Sequence, residues 1–196
     1  MKQDAKLAQN EVDNDFPLLH AQFTIQLWGS LEALVLTFLR AWLSEVPDAK
    51  TRDQIRNLRI RVGEYESLGS DERNMYILDL LEDSVGSRKR PGIGRFETLL
   101  DTFGLSAAVD ETTRRDLLKL YYVRNVLVHK RGLADRRFID GCPWLGMTLG
   151  QPVIINHSCW ERYYVATLRY AKELAERVRV HFGSPINDPM ADQEAG

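Results

Sequence analysis

The stretch Leu117–Leu133, LLKLYYVRNVLVHKRGL, constrains the fold of this chain more than any other. Leu117, Leu120, Val123 and Leu127 recur at three- and four-residue steps, and Leu118, Tyr122 and Val126 do the same on an adjoining stripe. Two apolar stripes on one helix predict a segment buried nearly all round, in a core or at a subunit interface. Into it the sequence sets a cation, an amide and an imidazole: Arg124, Asn125 and His129. Asn125 and His129 share a face with Tyr121, whereas Arg124 lies about 100° from Asn125 around the axis. Such groups are costly to bury without partners. Either they satisfy one another as structure, or they line a cleft that faces a ligand.

The flanking sequence reads as further helices. Asp13, Asn14 or Asp15 can cap a long helix with Pro17 in its first turn. Phe23, Leu27, Leu31, Leu34 and Phe38 mark its apolar stripe, with Trp28, Val35 and Trp42 repeating every seven, and Pro47 stops it near Ser44. Tryptophans at that spacing are read as core rather than as a stacking platform. Residues 48–69 read as a short amphipathic helix with a basic face of Arg52, Arg56, Arg59 and Arg61. A helix follows from Ser70 to about Glu82, then a glycine- and proline-broken loop, Gly86–Arg95, which carries Arg88, Lys89 and Arg90. That loop is either a mobile surface segment or a clamp for backbone phosphates.

Phe96–Phe103 makes a short helix that Gly104 stops. Asp110 caps the motif helix, which runs to about Lys130 and ends at Gly132. Residues 143–157 are an irregular insertion in which Met147–Leu149 and Val153–Ile155 could pair as a hairpin. Ser158 is the expected cap of a closing helix to Phe182, with Trp160, Tyr164, Leu168, Ala171 and Leu174 inward and Arg162, Arg169, Lys172, Arg177 and Arg179 outward. The expected organisation is a flexible N-terminus over 1–14, one helical domain over 15–183 and a disordered acidic tail over 184–196.

Composition narrows the function classes. A length of 196 residues fits a single domain. The net charge of −2 exerts no global attraction for nucleic acid, so any such contact must come from a local patch. One exists: Arg124, Lys130, Arg131, Arg136 and Arg137 stand against Asp135 alone. Cys142 and Cys159 form neither a disulfide framework nor, with His157, a metal-site spacing, so no metal or cofactor is expected. The polar start is no signal peptide, and the apolar run Trp28–Leu43, broken by Glu32 and Arg40, is too short to span a bilayer. A cytoplasmic protein with no membrane partner is the expectation.

Arg124 and His129 suit one reaction in particular. Cleaving RNA without a metal needs a base for the 2′-OH, a cation for charge developing on phosphorus, and an acid for the leaving 5′-oxygen. An imidazole titrates near neutral pH, and a guanidinium offers planar, permanently charged donors to phosphate. Asn125 could hold the imidazole tautomer or touch phosphate. In-line attack places entering and leaving oxygens on opposite sides of phosphorus, which one histidine struggles to serve. A homodimer through the motif helix would bring two histidines and two arginines to one cleft. The plain alternative is that cations near a helix C-terminus only offset its dipole.

Arg124-Asn125, three apolar residues, His129, and then Gly132 and Asp135 resemble the Arg-x4-6-His motif of HEPN domains (higher eukaryotes and prokaryotes nucleotide-binding). The resemblance implies an all-α bundle of four to six helices, commonly dimeric. Many members are metal-independent endoribonucleases; many others are non-catalytic modules that bind RNA, a nucleotide or a protein partner. It makes Arg124, His129 and Asn125 the catalytic candidates. Lys130, Arg131, Arg136, Arg137, Arg88, Lys89 and Arg90 are the candidate RNA contacts. A toxin or defence effector, with an antitoxin protein as partner, is implied by the family alone.

Overall fold

The computed structural model describes Lys6, Gln9 and residues 11–183, and the regular structure of those residues is helical. The elements are α1 (Pro17–Glu45), α2 (Asp53–Arg56), α3 (Val62–Ser67), α4 (Ser70–Ser84), α5 (Gly94–Thr102), α6 (Glu111–His129), α7 (Arg136–Gly141) and α8 (His157–Phe182). Single 3-10 turns cover Ala49–Thr51, Ser87–Lys89 and Pro143–Leu145. This is the all-α bundle that the periodicity predicts. The disordered tail expected over 184–196 lies outside the described residues, as does most of the flexible segment expected over 1–14.

Three long helices make the centre: α1, α6 and α8 pack on one another. α1 and α8 are parallel, because the His20 and His157 rings meet at 5.5 Å at their starts and Trp42 meets His181 at 4.6 Å at their ends. α6 runs the opposite way: Thr112 lines one cavity with Arg169, Lys119 stands over Tyr163, and Val123 lines another with Cys159. The C-terminal end of α6, which carries Arg124, Asn125 and His129, therefore lies where α1 and α8 begin. Trp28 fills the middle of the core, stacked on Phe96 at 5.5 Å and edge-on to Tyr121 at 5.3 Å. Trp28 and Trp42 are buried, as their heptad spacing predicts.

Local chemistry sets the ends of α6. The Asp110 carboxylate accepts from the Thr113 amide at 2.9 Å, and Gly132, at φ +74°, returns its amide to the Val126 carbonyl. Asp135 then caps α7 by accepting from the Phe138 amide.

Tertiary contacts overrode several sequence expectations. The inward face of α8 is Tyr163, Ala166, Tyr170 and Leu174; Tyr164 and Leu168 are exposed. Its sequence carries two apolar stripes about 100° apart, and packing against α6 chose the earlier one. Phe23 and Leu34 of α1 are likewise exposed rather than buried. Asn156, not Ser158, caps α8; the N-cap of α1 is Phe16, with no side-chain cap hydrogen bond, and Asp15, one of its three candidate caps, accepts from the His157 amide at the start of α8. Arg177, expected outside, is folded in, donating to Glu97 at 2.8 Å beside the Tyr170 hydroxyl. Residues 48–69 form two short helices and a 3-10 turn, not one helix, since residues 58–61 hold no regular structure. The expected hairpin within 147–155 does not form. Residues 150–153 pair instead with 132–134, with the Ala134 amide donating to the Gln151 carbonyl and Val153 to Gly132.

The basic loop after α4 is tied down. Ser87 and Ile93 are buried, and Gly92, at φ +58°, brings the backbone so close to α6 that a Cβ there would stand 3.1 Å from the Leu118 Cα. Beneath it sits Glu82, 2% exposed, accepting from Arg88 at 3.0 Å and from Arg95 at 2.8 Å, while Arg95 also reaches Glu32. This network links α1, α4, the loop and α5. The mobile-segment reading of the loop does not describe this geometry.

Candidate functional site

Arg124 is half-buried on α6. Its Nη1 donates to the Asn125 Oδ1 at 3.3 Å, and its buried Nε has no hydrogen-bond partner. Among the described residues no carboxylate forms an ion pair with it. Among the other half-buried arginines, Arg95 is held by Glu82 and Glu32, Arg177 by Glu97 and Arg179 by Glu176, whereas Arg73 donates to the Tyr65 and Glu66 carbonyls and Arg40, like Arg124, forms no ion pair among the described residues. A partly desolvated guanidinium without a counter-ion retains unmet attraction for an anion.

His129 is the last residue of α6 and is exposed, one turn beyond half-buried Asn125. At 100° per residue, Arg124 and His129 project about 140° apart around the axis. One chain therefore presents the imidazole and the guanidinium to different sides of α6. Beside them Val128 is an exposed apolar side chain, 44% accessible.

The cations expected to hold RNA divide into groups. Lys130, Arg131, Arg136 and Arg137 are exposed around the end of α6 and the start of α7. Arg137 reaches back to α6, donating to the Tyr121 hydroxyl at 2.8 Å with its guanidinium 5.8 Å from that ring. Next to it Tyr122 packs against α7 at Gly141, and burial raises its hydroxyl pKa. Lys89 and Arg90 are exposed in the loop, but Arg88 is engaged by Asp79, Glu82 and Asp83, which neutralise it as a phosphate contact. Because the loop packs at Leu118, it lies about 16 Å along α6 from His129.

Sequence reasoning passed over Arg115 and Trp144. The Arg115 guanidinium stands 4.6 Å from the centre of the Trp144 indole, beside a cavity of about 510 Å3 between α6 and residues 91–94. One signal was available: Arg115, Tyr122 and His129 are spaced by seven and so share a face of α6. Nothing in the sequence tells that Trp144 covers Arg115. Among the described residues no cluster of three His, Cys, Asp or Glu side chains is placed to hold a metal ion, and no helix is long and apolar enough to cross a membrane. Burial pushes the Cys142 thiol up to about 11, leaving a poor nucleophile.

No protein-family model, curated protein or solved structure matches this chain.

Proposed function

We propose that the chain is a HEPN-type, metal-independent endoribonuclease that works as a homodimer through α6. The observation that carries this reading is the half-buried Arg124 guanidinium, left without a carboxylate five residues before an exposed histidine. Arg95 and Arg177 are each held by a carboxylate, whereas the buried Arg124 Nε has no hydrogen-bond partner.

In the reaction, an imidazole takes the proton of the ribose 2′-OH and the 2′-oxygen bonds to phosphorus. The bond from phosphorus to the 5′-oxygen breaks, and a second imidazole protonates the departing oxygen. The products are a 2′,3′-cyclic phosphate and a 5′-hydroxyl, with no water consumed. Arg124 meets the charge that grows on the phosphoryl oxygens. Two copies related by a two-fold axis supply the two imidazoles, and they let Arg124 of one chain face His129 of the other across the 140° that separates them within a chain. Exposed Val128 gives such an interface an apolar centre. A toxin or defence role, with an antitoxin as partner, follows from the resemblance.

The same 140° separation favours a second reading. A chain that stays monomeric would bind RNA, a nucleotide or a protein through Arg124 without cleaving anything. Incubation of RNA with the full chain in EDTA separates the two. Cleavage to cyclic-phosphate ends, abolished by His129→Ala and by Arg124→Ala with melting curves preserved, is the expected result. Intact RNA with salt-sensitive binding would select the module; neither binding nor cleavage would leave only a helical bundle.

A further inference from the structure

The row of α6 that carries His129 extends to the start of the helix, with its ends exposed and Tyr122 between them half-buried against Gly141 of α7. Arg115, Tyr122 and His129 form one seven-residue row and Glu111, Leu118 and Asn125 another, each drifting only about 20° per repeat. Two of the cation–aromatic pairs that involve α6 stand near its two ends. Near the motif, Arg137 stands over Tyr121; near the start of the helix, Arg115 stands over Trp144. The second pair separates two adjoining cavities of about 510 and 430 Å3, which Arg114, Arg115, Lys119 and Arg162 line together with the carboxylates of Glu111 and Asp116. Arg114 is paired to Glu111, while Arg115 has the indole as its partner. Trp144 is 40% exposed, and its 3-10 turn is anchored by buried Cys142, whose carbonyl accepts from the Leu145 amide. An indole in contact with a guanidinium and open to solvent is a surface on which a nucleobase stacks.

We propose that Trp144 and Arg115 form a base-stacking subsite for single-stranded RNA, whose strand spans the distance to His129 at the other end of α6. This rests on the RNA reading of the motif and extends it by naming where a flanking nucleotide is held. Fourteen residues of helix separate Arg115 from His129, about 21 Å, which corresponds to roughly six stacked nucleotides at ~3.4 Å each. Duplex is disfavoured because its bases are already stacked and cannot lie on the indole.

The test is fluorescence anisotropy of a labelled 12-nucleotide single-stranded RNA on the full chain carrying His129→Ala, which prevents turnover. Added Trp144→Ala should weaken binding about 5- to 100-fold, the range for loss of one stacked base. Trp144→Phe should restore most of it. A dinucleotide, too short to reach from His129 to Trp144, should bind equally to both proteins. Arg115→Gln, at an exposed position, carries the test independently should Trp144→Ala lower the melting temperature. If both variants bind the 12-mer as tightly as the parent while the wild type cleaves RNA, the subsite is refuted and the nuclease reading stands. AMP binding as tightly as the 12-mer would make the cavity a mononucleotide site and also refute the strand. A wild type that neither binds nor cleaves RNA overturns both.

Discussion

The Arg124 guanidinium and the Asn125 amide are neighbours in sequence and in space, Nη1 donating to Oδ1 at 3.3 Å, and among the described residues that oxygen is the guanidinium's hydrogen-bond acceptor. A neutral acceptor orients the cation while leaving its charge uncompensated. Both properties are what a phosphate-binding arginine requires.

Asn125→Asp should therefore act as a charge trap. The new carboxylate would sit where the amide oxygen now accepts, forming a partly exposed ion pair that changes stability by no more than about 1 kcal/mol. RNA affinity should fall about tenfold, and the slope of log K against log salt should flatten by roughly one phosphate contact. Unchanged affinity and slope in a folded Asn125→Asp protein would show that Arg124 does not meet phosphate.

Glu82 lies under the loop after α4, 2% exposed and accepting from both Arg88 and Arg95. Glu82→Gln leaves two cations around a neutral amide. Since Arg88 is 44% and Arg95 23% exposed, the cost should fall below that of a fully buried pair. A loss of about 2–4 kcal/mol is expected, read as a drop in Tm on the order of 5–15 °C. A melting curve that overlays the wild type would mean that the network contributes nothing net.

The two thiols should behave differently. Cys142 is buried, its thiol pushed up to about 11, so at pH 8 only about one in a thousand is ionised. A raised thiol pKa keeps the unreactive protonated form across the neutral range, and reactivity returns only as pH approaches 11. Iodoacetamide at pH 8 should modify half-buried Cys159 well before Cys142, as peptide mass mapping would reveal. Equal rates in the folded protein would contradict the burial of Cys142.

Much of the fold was legible because helix signals are local. The two stripes of α6, the Asp110 cap and the glycine at 132 lie within a few residues of what they control, and the structure starts and ends the helix between them. Arg124, Asn125 and His129 could be singled out for the same reason: polar groups on an apolar helix are visible in one line of text. Their relative directions also follow from 3.6-residue geometry.

What the chain determines alone, then, is where helices lie and which side chains α6 carries, because backbone hydrogen bonding and capping are short-range. Tertiary packing alone decided which of two apolar stripes α8 turned inward, that Asp15 serves α8 rather than α1, and that three carboxylates claim Arg88. It also decided that Trp144, 29 residues further along the sequence, stands against Arg115. The contacts of Asp15 and of Trp144 join residues remote in sequence, the Arg88 pairs close across the turn after α4, and the free energy of each depends on surfaces that exist only once the chain has packed.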